Sequence, residues 1–201
     1  MNSKYIITSV CLSLGVLSSC ASYKASSLSN LSSEVVITSL NKEEEVLVVA
    51  RAFDRDDCKK YLDRDVIAVG YQPVQIYIQN NSEKNYSFSL DRVSLSCARS
   101  EAVAETVHTS TVGRAAGYGV ASLVLWPLAI PAVVDGVKSS KANASLDRDF
   151  SAKTAKDQTI QKYSNFNKLL FIPVEEYKDD FSITLIDQES GKQKILDVLA
   201  D

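Results

Sequence analysis

A chain of 201 residues has room for one ordinary domain and a leader, and its 45% hydrophobic content excludes wholesale disorder. A formal net charge of −3, with no basic stripe, gives no electrostatic footprint for nucleic acid. One histidine (His108) and one tryptophan (Trp126) leave little material for histidine-based catalysis or a metal site, and no cofactor is implied.

The first element is a leader. Lys4 supplies a positive start, and residues 5–17 are mostly apolar, weakened only by Thr8, Ser9, Ser13 and Gly15. That run is too short to cross a bilayer as a stable helix and suits the apolar region of a secretory signal. At its end stands Leu17-Ser18-Ser19-Cys20: an aliphatic residue, two small ones and a cysteine. This resembles the lipobox of bacterial lipoproteins, a likeness confined to four residues and the run before them. The resemblance implies that the Cys20 thiol receives a diacylglyceryl group. A peptidase then cuts before it, and the mature chain is held on membrane lipid. Several acyl chains, at about 0.8 kcal/mol per buried methylene, hold firmly. The alternative is an ordinary signal cut after Ser19 or Ala21, with Cys20 free. Ala21 rather than Asp follows the cysteine, which by analogy with enterobacterial sorting favours the outer membrane over the inner. Loss of Lys4 with the leader takes the net charge from −3 to −4. Residues 21–33 (ASYKASSLSNLSS) are Ser-rich and polar and predict a flexible tether.

Residues 34–40 (EVVITSL) and 45–53 (EVLVVARAF) are β-branched runs around the polar residues 41–44, and predict a hairpin or two neighbouring strands. The charged stretch 54–65 (DRDDCKKYLDRD) predicts a short helix or a loop. Residues 71–79 (YQPVQIYIQ) form the clearest strand. Val74, Ile76 and Ile78 alternate with Gln75, Tyr77 and Gln79, the period of a half-buried strand, and Pro73 suits a strand start or edge. A turn over 80–85 precedes Tyr86, Phe88 and Leu90, which alternate with serines as a return strand. In the last third, residues 168–174 predict a strand ending at a proline. Phe181, Ile183 and Leu185 mark another strand, Ser190-Gly191-Lys192 a hairpin turn, and residues 193–199 a closing strand. Seven or eight strands at close spacing predict a mainly β, antiparallel fold, with an immunoglobulin-like sandwich as the candidate. No Cys–Trp–Cys pattern is present, so no antibody-type domain is implied.

Between the strand groups lies a helical insert, at about 99–165. Its first part has Val103 and Val107 at helical spacing; its last part, 138–162, is polar with Leu146, Phe150, Ala155 and Ile160 scattered along it, and Phe150 falls one helical turn after Leu146. The middle, residues 115–134, carries no charge and is long enough for a straight helix of about 30 Å, the thickness of a hydrocarbon core. Pro127 and Pro131 oppose a straight span. Both ends must also stay on one side of a membrane if the flanking strands share a sandwich. Trp126-Pro127 is a natural corner. Three readings stand: an apolar hairpin packed on the protein, a hairpin dipping into the lipid leaflet, or a true span in an oligomer. Tyr118, Leu123, Leu125 and Trp126 are the candidate membrane or partner contacts, and Gly113 and Gly117 have a spacing that allows close helix contact.

Of four cysteines, Cys11 leaves with the leader and Cys20 takes lipid. Cys58 and Cys97 form an even pair in an exported chain. Either they are bridged, which would contribute roughly 3–4 kcal/mol by closing a long loop, or they are two buried thiols; geometry decides. No phosphate loop, G-x-S-x-G turn or H-E-x-x-H helix occurs. Asp54, Asp56, Asp57, Asp63 and Asp65 lack a calcium-loop register and are interleaved with Arg55, Lys59, Lys60 and Arg64, so they predict salt-bridged surface rather than a cation site. Asp147-Arg148-Asp149 has the same pattern, and His108 reads as a surface or packing residue. The expectation is a non-enzymatic, lipid-anchored envelope protein whose partners are membrane lipid and another envelope protein. The alternative is a membrane-interacting or translocation component working through residues 115–134.

Overall fold

The computed structural model describes residues 22–31, 45–109 and 129–200, with side chains described from Ser139 onward in the last stretch. The chain forms two compact units, one of Met1–Tyr23 and Thr109–Ser145, the other of Lys24–His108 and Leu146–Asp201.

The second unit is built on strands. Among the described residues there are seven: β1 (Val46–Ala52), β2 (Tyr71–Asn80), β3 (Tyr86–Phe88), β4 (Gln158–Ile160), β5 (Asn165–Pro173), β6 (Asp180–Asp187) and β7 (Gln193–Leu199). They form two antiparallel sheets, ordered β1-β2-β5 and β4-β3-β6-β7. Inward-facing residues of both sheets share one apolar core: Val74, Ile76 and Ile78 from the first meet Phe88, Ile183 and Leu185 from the second. Phe88 and Phe166 tilt against each other at 4.8 Å across it. A parallel bridge between Ala50 and Ala200 fastens β1 to the end of β7.

β2 departs from its half-buried expectation. Gln75 and Tyr77, on the face opposite Ile76, are buried as well. β2 is the central strand of its sheet, and the chain before β1 covers its outer face. Pro73 lies just past the end of β1, because Ala52 pairs with Val74; there the Phe53 amide donates to Pro73 O at 2.9 Å, and Phe53 O, which the proline has no amide to reach, accepts from Gln72 Nε2 at 2.8 Å. A second departure concerns the return strand. β3 does not pair with β2 as a hairpin partner; the chain crosses to the other sheet, where β3 sits between β4 and β6. Leu90 opens a 3₁₀ turn (Leu90–Arg92) rather than extending β3.

The charged stretch after β1 is helix α1 (Arg55–Leu62). Asp54 caps its start by accepting from the Asp57 amide at 2.7 Å, and Asp63 ends it in the left-handed conformation, φ 52°. Its buried side holds Cys58, Tyr61 and Leu62. Helix α2 (Ser100–Thr106) buries Ser100, Val103 and Ala104. Helix α3 (Ala129–Lys153) has Pro131 in its first turn, where a missing amide donor is harmless. Leu146 and Phe150, one turn apart, are both fully buried, and Phe150 stacks on Phe171 of β5 at 5.5 Å. The helix stops at Lys153, and Ile160 belongs to β4, so the insert is shorter than the 99–165 expected.

In the first unit the described residues are chiefly the α3 backbone before Leu146 and Thr109. The Asn143 side chain accepts from the Thr109 amide at 2.9 Å and donates to its carbonyl at 3.0 Å. No helix among the described residues is long and apolar enough to cross a membrane. Residues 115–128 of the uncharged segment, the strand expected over 34–40 and the turn at 41–44 lie outside the described residues.

The described part of the expected tether makes specific contacts. Over residues 24–31 the chain is fixed to the second unit, running along β2. The Lys24 amide donates to Asp63 Oδ2 at 3.0 Å and the Ser26 amide to Lys60 O at 2.8 Å. Ser29 Oγ donates to Gln75 Oε1 at 2.9 Å, while Ser29 O accepts from Gln75 Nε2 at 2.7 Å and from Asn167 Nδ2 at 3.0 Å. Leu31, 1% exposed, packs on Leu47 and Tyr77. Lys153 Nζ then ties three elements together. It donates to Ser26 O at 2.7 Å, Tyr61 O at 2.6 Å and Asp149 Oδ2 at 2.6 Å, one acceptor for each of its three protons.

A candidate partner-binding site at the loop end

One end of the sandwich gathers three connections: residues 81–85 after β2, 161–164 before β5, and 188–192 between β6 and β7. Buried polar side chains lock them to one another. Asn80, 1% exposed, donates through Nδ2 to Lys84 O at 2.8 Å and Gln161 O at 2.9 Å. Its Oδ1 accepts from the Ser82 amide at 3.1 Å and hydroxyl at 2.7 Å, so the amide is saturated. Asn85 Oδ1 accepts from the Lys162 amide at 2.9 Å, and Asn85 O from the Gln188 amide at 2.9 Å. Asp187 accepts from Ser190 Oγ at 2.6 Å and from the Glu189 amide at 3.0 Å. These hydrogen bonds, the hydroxyl's first, hold its carboxyl below the usual aspartate range. Gly191 closes that turn at φ 68°, a conformation open to glycine.

What this frame presents outward is Tyr163. It sits in the left-handed region, φ 54°, and is 65% exposed, with its hydroxyl donating to Glu83 Oε1 at 3.3 Å. Lys84 reaches Asp187 at 4.0 Å from a half-exposed position. The frame thus sets an exposed aromatic ring beside charged side chains. The cluster offers hydrogen bonds and an aromatic face.

A second concavity, a cleft of about 340 Å³, is lined by Leu90, Cys97, Arg99, Glu101, Lys156 and Asp157 among others. Its Asp157 is engaged, accepting from the Leu90 amide and the Ser89 hydroxyl, both at 3.0 Å, which lowers its pKa. Burial pushes the Cys97 thiol up to about 12, so it is not a thiolate at neutral pH.

The residues singled out from the sequence fall as follows. Cys20, Tyr118, Leu123, Leu125 and Trp126 lie outside the described residues. Cys58 and Cys97 are free thiols rather than a bridge. Cys58 is on the buried side of α1 near the Val66 and Ile67 backbone, and Cys97 packs against the sandwich core, so they occupy different surroundings. The aspartates of 54–65 are used in caps and ion pairs, Asp57 with Arg51 at 3.5 Å, Asp65 with Arg55 at 3.8 Å and Asp63 with Arg64 at 3.0 Å. Among the described residues no group of three or more metal-ligating side chains gathers. His108 Nε2 meets Asp147 Oδ1 at 2.5 Å, a partly exposed pair. Sequence reasoning missed Asn80, Asp187 and Tyr163. Asn80 lay in the expected turn 80–85, Asp187 just before the expected turn 190–192 and Tyr163 within the expected helical insert, and nothing in any of these segments alone indicates that the three converge.

The chain matches no protein-family model, no curated protein and no solved structure.

Proposed function

We propose that this chain is a bacterial lipoprotein: cut before Cys20, acylated there, and holding a non-enzymatic body that binds or braces another envelope component. The observation that carries the reading is the order Lys4, apolar run, Leu17-Ser18-Ser19-Cys20, followed at once by a chain segment engaged with the body from Lys24. An immunoglobulin-like body supports it. Lettering the strands A to G in chain order gives A-B-E on one sheet and C-F-G on the other, with the fourth strand joined to the C side. The loops after B, before E and between F and G then gather at one end, the end such sandwiches use for recognition. Ala21 after the cysteine favours the outer membrane, by analogy with enterobacterial sorting.

A second reading, membrane interaction through residues 115–134, is favoured by one observation. The insert's chain leaves the body at Val107, whose carbonyl accepts from Arg64 Nε at 3.2 Å, and Arg64 is paired with the Asp63 that holds Lys24. Among the described residues, the chain at the end of α2 and the segment beginning at Lys24 are thus joined through the Asp63–Arg64 pair. Vesicle flotation of non-acylated protein, with and without residues 115–134, separates the two readings. The anchored binding protein floats in neither form. A membrane-active insert floats only when the stretch is present. Radiolabelled palmitate fed to the native host is expected to enter the chain and to be lost in Cys20→Ala; label that persists overturns the lipoprotein reading.

A further inference from the structure

We propose that the body stands directly on the bilayer with a fixed polarity: the end carrying Lys24, the C-terminus of α1 and Val107 faces the lipid headgroups, and the Tyr163 loop cluster points into the aqueous space. This rests on acylation at Cys20 and adds an orientation to it. Lys24 and Ser26 are bonded to Asp63 and Lys60 at the end of α1. Four peptide steps separate Cys20 from Lys24, and fully extended they reach only about 14 Å. The headgroup layer on one side of a bilayer takes about 5–8 Å of that. Little free chain is left.

The direction of the segment supplies the polarity. It passes Lys60 with Ser26, Gln75 with Ser29 and Tyr77 with Leu31. It thus runs parallel to β2, from the α1 end toward Asn80 and the loops Asn80 locks. Ten residues of β2 at ~3.3 Å each put about 30 Å between the two ends. A second chain crossing lies at the same end. Asp63 Oδ2 accepts both the Lys24 amide and Arg64 Nη1, each at 3.0 Å, and Arg64 Nε donates to Val107 O. His108 and Asp147, in contact, bring the insert's exit and return together. Chain entry and insert exit are fastened through one Asp63–Arg64 pair, so the body has a base and a top.

The test uses the mature, full-length protein extracted from its membrane and placed in nanodiscs of phosphatidylethanolamine and phosphatidylglycerol doped with a gadolinium-chelate headgroup lipid. Amide signals are read by NMR, and the intact mass of the same sample reports Cys20. The amides of Lys24, Lys60, Arg64 and Val107 are expected to lose most of their intensity, while those of Lys84, Tyr163 and Gly191 keep theirs. A ten-residue Gly-Ser insertion after Ala21 is expected to erase the difference with acylation intact. An acylated sample in which the loops lose as much signal as the base, or in which the insertion changes nothing, overturns the orientation alone. An unmodified Cys20 in a chain that does not bind the discs overturns the orientation and the lipoprotein reading together.

Discussion

Replacing Lys153 by methionine removes the three bonds that join the segment 24–31, α1 and α3, while keeping most of the apolar stem. The cost follows from what each acceptor can do afterwards. Asp149, with a 28% exposed side chain, regains water, as does the carbonyl of exposed Ser26. Tyr61 O lies buried and stays unsatisfied, a penalty of about 1–3 kcal/mol, to which the lost charge-assisted bonds add. A total of about 3 kcal/mol lowers the melting temperature by roughly 6–12 °C in a chain of this size. Lys156→Met is the control. Among the described residues its Nζ donates to Ser151 Oγ alone, in an exposed bond, so it should change stability by no more than about 0.5 kcal/mol. Calorimetry gives the global number. Hydrogen exchange gives the local one: the Lys24 and Ser26 amides should lose protection in Lys153→Met before the β2 amides do. Equal stability of the two variants, with the 24–31 amides still protected, would refute the claim that this lysine pins the segment.

Other outcomes follow from the same structure. Phe150→Ala empties a fully buried site stacked on Phe171 and should cost about 3–5 kcal/mol by denaturant unfolding; a loss below about 1 kcal/mol would mean that α3 does not dock there. Cys58 and Cys97, with thiols raised by burial to about 11 and about 12, should resist iodoacetamide at pH 7.5 and react once urea unfolds the chain. Rapid native labelling, or a 58–97 bridge found by non-reducing mass spectrometry, contradicts this. Asp187 has a folded pKa below its usual value near 3.8. Its contribution is complete above that value and is lost as pH falls through the lower, folded one. Asp187→Asn should therefore loosen the 188–192 turn at neutral pH and flatten the stability loss below about pH 4, read by melting across pH; an unchanged acid limb argues against it.

The parts of the fold legible in the sequence are those in which one residue's neighbours decide its state. The alternation in β2, β6 and β7 follows from the pleat, and Asp54 and Asp63 punctuate α1 by local bonds. Ser190-Gly191-Lys192 forms a turn because Gly191 alone accepts its backbone angle readily. What could not be read depends on distant chain. Period two says which side of β2 is which, not that a Ser-rich stretch far upstream covers the second side. That stretch looks like a linker because its attachment is mostly backbone amides and carbonyls, with Leu31 as its one fully buried apolar residue. β3 and β4, three residues each, are too short to carry a pattern, so the crossing between sheets was invisible. The loop cluster was hidden for the same reason: Asn80, Asn85 and Asp187 are ordinary turn residues until β2, β5 and β6 bring their ends together.

The proposed anchor is a lipid on Cys20, four residues before the body that begins at Lys24. The intact mass of protein extracted with detergent from its native membrane tests this most directly. The predicted species starts at Cys20 and exceeds the peptide mass by a diacylglyceryl group and any amide-linked acyl chain. A chain that retains residues 1–19, or one that begins near Cys20 with a free thiol, contradicts it.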